Sequence, residues 1–273
     1  MQNNIKLIAT DFDGTVAGVT KIVSKANLEA MEYARSKGIH LAVLSGRAIP
    51  TLKKAINDFV KEDMLISACN GALIYKNDQI LFKKNIEKQH IETLLDISKD
   101  MDTFFTMNTL DSVHALNIQR ALDMKARWQK LLGNDFKMGY NFYDDHKGLL
   151  DSINDNVFSM VFFEADNDKR LKLYDKLIKV PGVSVTSSFE SNIEVMGSYI
   201  SKAYALKNIC DILNIDIKDT MALGDNYNDM DMIKLAGIGV AMGNADEMIK
   251  QSADFVTKTC DEDGFAYAIH KFI

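Results

Sequence analysis

In Ile5-Lys6-Leu7-Ile8-Ala9-Thr10-Asp11-Phe12-Asp13-Gly14-Thr15, the stretch from Ile5 to Thr10 is a short apolar run that stops at the carboxylate of Asp11. A nearly continuous apolar stretch of this length reads as a strand buried on both faces, the kind that parallel sheets contain. Asp11 and Asp13 begin where it ends. Two apart on extended backbone, they point to the same side, so both carboxylates reach one space. Gly14 permits the sharp exit such a loop needs, and Thr15 offers a hydroxyl and a backbone N–H. Taken alone, Asp13-Gly14 is equally well a turn. What surrounds it decides between the two.

The strand is followed by a repeating α/β rhythm. Ser24 suits a helix N-cap, residues 25–37 carry Leu28, Met31 and Ala34 on one face, and Gly38 suits the position just past the helix. Residues 40–44 are predicted as a second buried strand ending at Ser45-Gly46-Arg47. Pro50 sits in the first turn of a helix running toward Val60, and 64–69 are predicted as a third strand before Asn70-Gly71. This alternation implies a Rossmann-like α/β unit on a parallel sheet.

The rhythm then breaks. Residues 73–75 and 79–82 suggest a hairpin around Lys76-Asn77-Asp78. Predicted next are helices over 87–99, 120–132 and 168–179, and strands over 103–107, 157–163, 183–186 and 192–195. Elements mixed in this way imply an inserted α+β domain, expected over 83–195, with 1–82 and 196–273 forming the α/β core. From Ser201 the rhythm returns with helices over 201–213, 229–236 and 245–252, strands over 220–223, 238–241 and 255–256, and a last helix from Gly264.

Composition excludes several classes of function. In a chain of 273 residues, 47% hydrophobic and 26% charged residues supply a sizeable core and exclude general disorder. With 32 Lys and Arg against 38 Asp and Glu, the net charge is -6, and no basic run marks a nucleic-acid footprint. A small anionic substrate remains allowed, because a few focused cations overcome a modest overall charge. Cys69, Cys210 and Cys260 are odd in number and widely spaced, which suits a reducing compartment, and the five histidines show no metal-ligand spacing. No apolar run reaches membrane-spanning length and residues 1–6 lack a signal-peptide pattern, so a cytoplasmic protein with no membrane partner is expected.

In open α/β sheets the ligand crevice lies beyond the carboxyl ends of the strands. Segments 11–15, 45–47, 70–71 and 224–229, among the most polar in the chain, all fall there. Together they would assemble carboxylates, hydroxyl, amide and guanidinium in one pocket. Neighbouring acids split their roles: one stays ionised and attacks, the other is pushed toward its protonated form and donates a proton. An EF-hand calcium loop fails, since counting from Asp11 places Val16 sixth and Ile22 twelfth, and counting from Asp225 places Met230 and Ala236 there. No Walker-type phosphate loop occurs.

In order along the chain, these segments resemble the signatures of the haloacid dehalogenase superfamily of phosphatases. Asp11-Phe12-Asp13-Gly14-Thr15 resembles the first, Ser45-Gly46-Arg47 the second, Lys202 the third and Gly224-Asp225-Asn226-Tyr227-Asn228-Asp229 the fourth. The inserted domain, Asn70-Gly71-Ala72, Met242-Gly243-Asn244-Ala245 and Asp263-Gly264 are similar to the Cof-like subfamily with a large C2B-type α/β cap. The resemblance implies that Asp11 is the nucleophile, forming an aspartyl phosphate, and that Asp13 is the general acid and then base. It implies Mg2+ on the Asp11 side chain, the Asp13 backbone carbonyl and Asp225, and Lys202 offsetting the repulsion between nucleophile and phosphate. Thr15, Ser45, Gly46, Arg47, Asn70, Gly71 and Asn228 are the implied phosphate or substrate contacts, and Asp229 orients Lys202 or a metal-bound water. One departure is visible: Ala203 stands where the subfamily usually has Gly after the lysine, and Ala is at home in a helix.

Each residue also has a plainer reading. Lys202 by default is a solvated surface lysine, Arg47 a structural ion-pair partner, and Asn70-Gly71 a turn. In the inserted domain Asn108, Asp111, His114, Asp144, Asp145 and His146 are polar candidates for choosing a leaving group, and Trp128 reads as cap core. The expected function is Mg2+-dependent hydrolysis of a small phosphorylated metabolite, a sugar phosphate first, by a monomer or weak homodimer. A sugar phosphomutase and a non-catalytic metal- and phosphate-binding regulatory module are the alternatives.

Overall fold

The computed structural model describes residues 4–18, 22–57, 59–61, 64–77, 79–132, 139–153, 156–189 and 191–273. Asp78 of the expected hairpin turn and the Trp128 side chain lie outside the described residues. In chain order the strands of the first half are β1 (Leu7–Thr10), β2 (His40–Leu44), β3 (Leu65–Ala68), β4 (Leu73–Lys76), β5 (Gln79–Lys83), β6 (Phe104–Asn108) and β7 (Ser112–Leu116). Those of the second half are β8 (Gly139–Tyr143), β9 (Ser159–Phe163), β10 (Val183–Thr186), β11 (Asn192–Gly197), β12 (Thr220–Gly224), β13 (Ile238–Ala241) and β14 (Phe255–Val256).

One sheet runs β14-β13-β12-β1-β2-β3-β4-β5. From β14 to β3 it is parallel, while β4 pairs antiparallel with β3. All four residues of β1 are buried, as its apolar run requires, with Leu7 opposite His40 on one side and Thr220 on the other. Strand order reverses between β1 and β12, and this reversal is where an open α/β sheet opens its ligand crevice. Asp11 leaves β1 with its N–H donating to Leu223 O at 2.9 Å, so the ends of β1 and β12 lie side by side.

Helix Lys25–Ser36 is capped by Ser24, whose Oγ accepts from Asn27 N at 3.1 Å. The buried Asn27 side chain donates to Val16 O at 2.9 Å and accepts from Ala266 N at 3.0 Å, tying the loop after β1 to the last helix, Gly264–Phe272. Helix Lys202–Leu213 lays Ala205, Leu206, Ile209 and Cys210 against Leu7, Ala9 and Leu44 of the sheet. That packing seats Lys202, its first residue, at the sheet's carboxyl end.

The second sheet runs β10-β11-β9-β6-β7-β8, antiparallel except for the parallel pair β7 and β8. One of its faces carries Phe105, Met107, Met160, Phe162, Ile193 and Val195 into an apolar core shared with Leu94 and Leu173. Strands β7 and β8 and the helix His146–Ser152 add to the elements that the sequence pattern predicts. The chain divides into two compact units, Met1–Gly46, Phe59–Phe82 and Ser201–Ile273, and Arg47–Asp58 and Lys83–Ile200. Helix Ile49–Ile56 thus groups with the second unit. Among the described residues no helix is long and apolar enough to cross a membrane.

Candidate active site

The site is built on the first unit, at the ends of β1, β2, β3 and β12. Asp11 is 5% exposed, and Phe12 between the two acids turns inward to stack on Phe59. The loop then doubles back, with Gly14 N donating to Ala17 O and Ala17 N to Phe12 O. Gly14 has φ +84°, and a Cβ there would lie 2.4 Å from Asp225 Oδ2. Only glycine combines that backbone with that approach. Thr15, fully buried, donates its hydroxyl to Asp225 Oδ1 at 3.0 Å.

Lys202 is 1% exposed and donates to Asp11 Oδ1 at 2.5 Å and to Asp229 Oδ1 at 2.6 Å. Its surface reading is therefore overturned: a helix start packed on the sheet carries the ammonium inward. Burial alone would lower its pKa, but Asp11 and then Asp229 outweigh burial and raise it, so Lys202 stays charged. Asp229 has both oxygens committed, since Oδ2 accepts from the N–H groups of Asp225 at 3.1 Å and Asn226 at 3.0 Å.

Oxygens of Asp11, Asp225 and Asp229 gather within 4.8 Å of one another. For Asp11, burial is the largest influence; Lys202 lowers its pKa and Asp229, Asp225 and Asp13 raise it, for a net rise well above the usual carboxylate value. Burial, then Asp229, raises Asp225 to about 7. Such a surplus of desolvated negative charge on an all-oxygen donor set is what a hard divalent cation relieves. With Asp229 committed, Asp11 and Asp225 are the carboxylates that fit Mg2+.

The other candidates gather around this centre or leave it. Ser45, 2% exposed, stands at the end of β2 with its N–H on Ser67 O at 2.9 Å, and Gly46 follows. Asn70 N donates to Ser45 O at 3.0 Å, and Asn70 Oδ1 accepts from Asn228 Nδ2 at 3.0 Å. Asn228 Oδ1 is then buried with no partner among the described residues, an acceptor that a hydroxyl or a water would satisfy. Cys69, Asn70 and Gly71 all have positive φ, and a Cβ on Gly71 would meet Ser201 O at 2.6 Å. Gly71 thus lets the end of β3 lie directly on the N-cap of the Lys202 helix. Arg47, half-buried, begins the segment that groups with the second unit.

Polar candidates of the inserted domain are dispersed and engaged locally. Asn108 donates to Ser159 Oγ, Asp145 caps the helix His146–Ser152, His146 meets Ser98 Oγ, and Asp144 accepts from Asn117. His114 lies between Ser112 and Tyr143, and Asp111 accepts from Ser112. Burial holds the pKa of both His114 and His146 below the usual imidazole value. One residue at the site lies outside the candidates: Asn244, whose Nδ2 donates to Gly14 O at 2.9 Å. Its signal in the sequence was its place in Met242-Gly243-Asn244-Ala245, a segment similar to the Cof-like subfamily, just past the end of β13.

A family model described as haloacid dehalogenase-like hydrolase matches residues 8–269. The chain belongs to that family. A 5-amino-6-(5-phospho-D-ribitylamino)uracil phosphatase of Bacillus subtilis is 31% identical over 271 residues, covering 99% of this chain and 96% of its own. A second phosphatase of that name from the same organism is 28% identical over 285 residues, covering 98% of each chain. A solved haloacid dehalogenase-like hydrolase from B. subtilis, 26% identical, superposes with a TM-score of 0.87 over 98% of this chain and 100% of its own. The α/β fold with a second sheet is the fold of this family, and the chain is an enzyme of its phosphatase class, a phosphoric monoester hydrolase.

Proposed function

We propose that this hydrolase is Mg2+-dependent and cleaves a small phosphorylated metabolite of the sugar or sugar-alcohol type through a phosphoaspartate on Asp11. The observation that carries the proposal is the Asp11 carboxylate held at the end of β1 by a buried lysine, with Asp225 beside it. Mg2+ on Asp11, the Asp13 carbonyl and Asp225 would supply positive charge against the phosphoryl oxygens. Lys202 lowers the repulsion that keeps a carboxylate from an anionic ester, and Asp229 holds Lys202 in place.

Asp11 attacks phosphorus, a carboxylate–phosphorus bond forms, the ester P–O bond breaks, and Asp13 gives its proton to the departing alkoxide. Water then attacks the phosphoaspartate, Asp13 takes the water's proton, and inorganic phosphate leaves. Ser45, the Gly46 N–H and Asn228 hold the phosphoryl oxygens, with the Thr15 N–H beside them, since the Thr15 hydroxyl is engaged by Asp225. Arg47, Asn70 and Gly71 complete the substrate contacts, and the inserted domain serves as the cap that selects the leaving group. The sugar-alcohol class follows the names of the B. subtilis relatives, which act on a phosphoribitylamino compound.

The test is phosphate release from a panel of sugar phosphates and 5-amino-6-(5-phospho-D-ribitylamino)uracil, with Mg2+ or with EDTA, by wild type and Asp11→Asn. Wild type is expected to release phosphate only with Mg2+, and the variant to lose about 10³-fold or more. Equal activity of the variant, or full activity in EDTA, overturns the proposal.

A further inference from the structure

Asn244 is exposed, yet both ends of its amide are used. Its Oδ1 accepts from Cys260 N at 2.8 Å and its Nδ2 donates to Gly14 O at 2.9 Å. A backbone N–H can only donate and a carbonyl can only accept, so these neighbours settle which end of the amide faces which way. From that fixed position Nδ2 also faces Asp225 Oδ2 at 3.4 Å, while Thr15 takes Oδ1 of the same carboxylate. The segment carrying Asn244 is itself anchored, through Met242 N on Gly224 O at 3.0 Å and Gly243 N on Lys258 O at 2.9 Å. Asp225 is therefore flanked on one oxygen by the loop after β1 and on the other by the loop after β13. Being exposed, Asn244 adds little to the core, so its contacts serve the alignment of these loops.

We infer that Asn244 is the positioning residue of the cation site, aligning the Asp225 carboxylate with the loop that carries Asp11 and Asp13, so that affinity for Mg2+ depends on it. The inference rests on the proposed Mg2+ site and adds to it a residue outside the proposed cation and phosphate ligands. A neutral amide suits the place. A carboxylate at 244 would face the Gly14 carbonyl and Asp225 with like charge.

Calorimetric titration of wild type, Asp225→Asn, Asn244→Ala and Asn244→Asp with MgCl2, with thermal unfolding measured alongside, tests it. Wild type is expected to bind, Asp225→Asn to lose binding, and Asn244→Ala to bind about tenfold or more weakly, as loss of a residue that orients a ligand typically does. Asn244→Asp is expected to be weaker still, both Asn244 variants to unfold near the wild-type temperature, and turnover of Asn244→Ala to recover as Mg2+ is raised. Wild-type affinity in Asn244→Ala overturns the inference, as does a loss of turnover that added Mg2+ does not restore. If wild type binds no Mg2+, or Asp225→Asn binds as well as wild type, the metal site itself fails and the inference fails with it. Should Asn244→Ala not fold, Asn244→Ser, which keeps a shorter donor, is judged by the same outcomes.

Discussion

Lys202→Met replaces a buried ammonium with an apolar chain of similar length, and its effects on stability and on chemistry separate. The ammonium sits 2.5 Å from Asp11 and 2.6 Å from Asp229 at 1% exposure. Removing one partner of such a pair costs about 3–5 kcal/mol, because the charge left behind is neither solvated nor matched. Asp229 loses the partner of Oδ1 but keeps the N–H groups of Asp225 and Asn226 on Oδ2, so the loss falls hardest on Asp11, which responds by taking up a proton. A carboxyl whose folded pKa is raised above its unfolded value stabilises fully below the unfolded value, and that stability is lost as pH climbs through the folded one. Urea unfolding in EDTA is therefore expected to show the full loss at pH 8 and a smaller one at pH 5. Phosphate release at saturating Mg2+ is expected to fall by about 10²–10³-fold, the scale of losing one preorganised charge-stabilising donor. Turnover within tenfold of wild type, or equal destabilisation at both pH values, refutes the reasoning.

Two further outcomes follow from the same centre. Gly14→Ala would place a Cβ 2.4 Å from Asp225 Oδ2 at φ +84°, so that carboxylate must move by about 1 Å; such a misplacement costs about 10²-fold in turnover, and a steady-state assay with near-normal kcat would show that Asp225 need not be fixed. Since Asp11 is raised and Asp225 lies at about 7 against an ordinary carboxylate value, wild type in EDTA should lose stability as pH rises from about 4 toward 8, and Mg2+ should flatten that slope by favouring the ionised forms. A pH-independent melting temperature in EDTA would contradict it.

What the sequence made legible was local. Runs such as His40–Leu44 and Ile238–Ala241 announce buried strands because every residue is apolar or nearly so, and Ser24 and Gly38 bracket a helix by capping chemistry alone. Strand β7 escaped because Ser112 and His114 interrupt its apolar pattern, and His114 is satisfied by Tyr143, which lies outside any local window. The antiparallel pairing of β4 with β3 follows from the left-handed turn at Cys69–Gly71, which a polar dipeptide signals without giving its direction. At the site, the acids at the strand ends stand out by position. The burial of Lys202 does not, since its partner Asp11 is 191 residues away, and Asn244 reaches Gly14 across 230.

That distance also sets an order of assembly. β1 is a central strand of its sheet, yet one of its two neighbours, β12, is synthesised only after the whole inserted domain. Until Thr220–Gly224 emerges, Leu7–Thr10 has an edge with no partner, and Asp11 waits for the ammonium that makes its burial tolerable. The Asp11 loop is thus among the first segments made and among the last to be completed, which places closure of this sheet late in folding and makes the nascent chain's exposed strand the point most in need of protection.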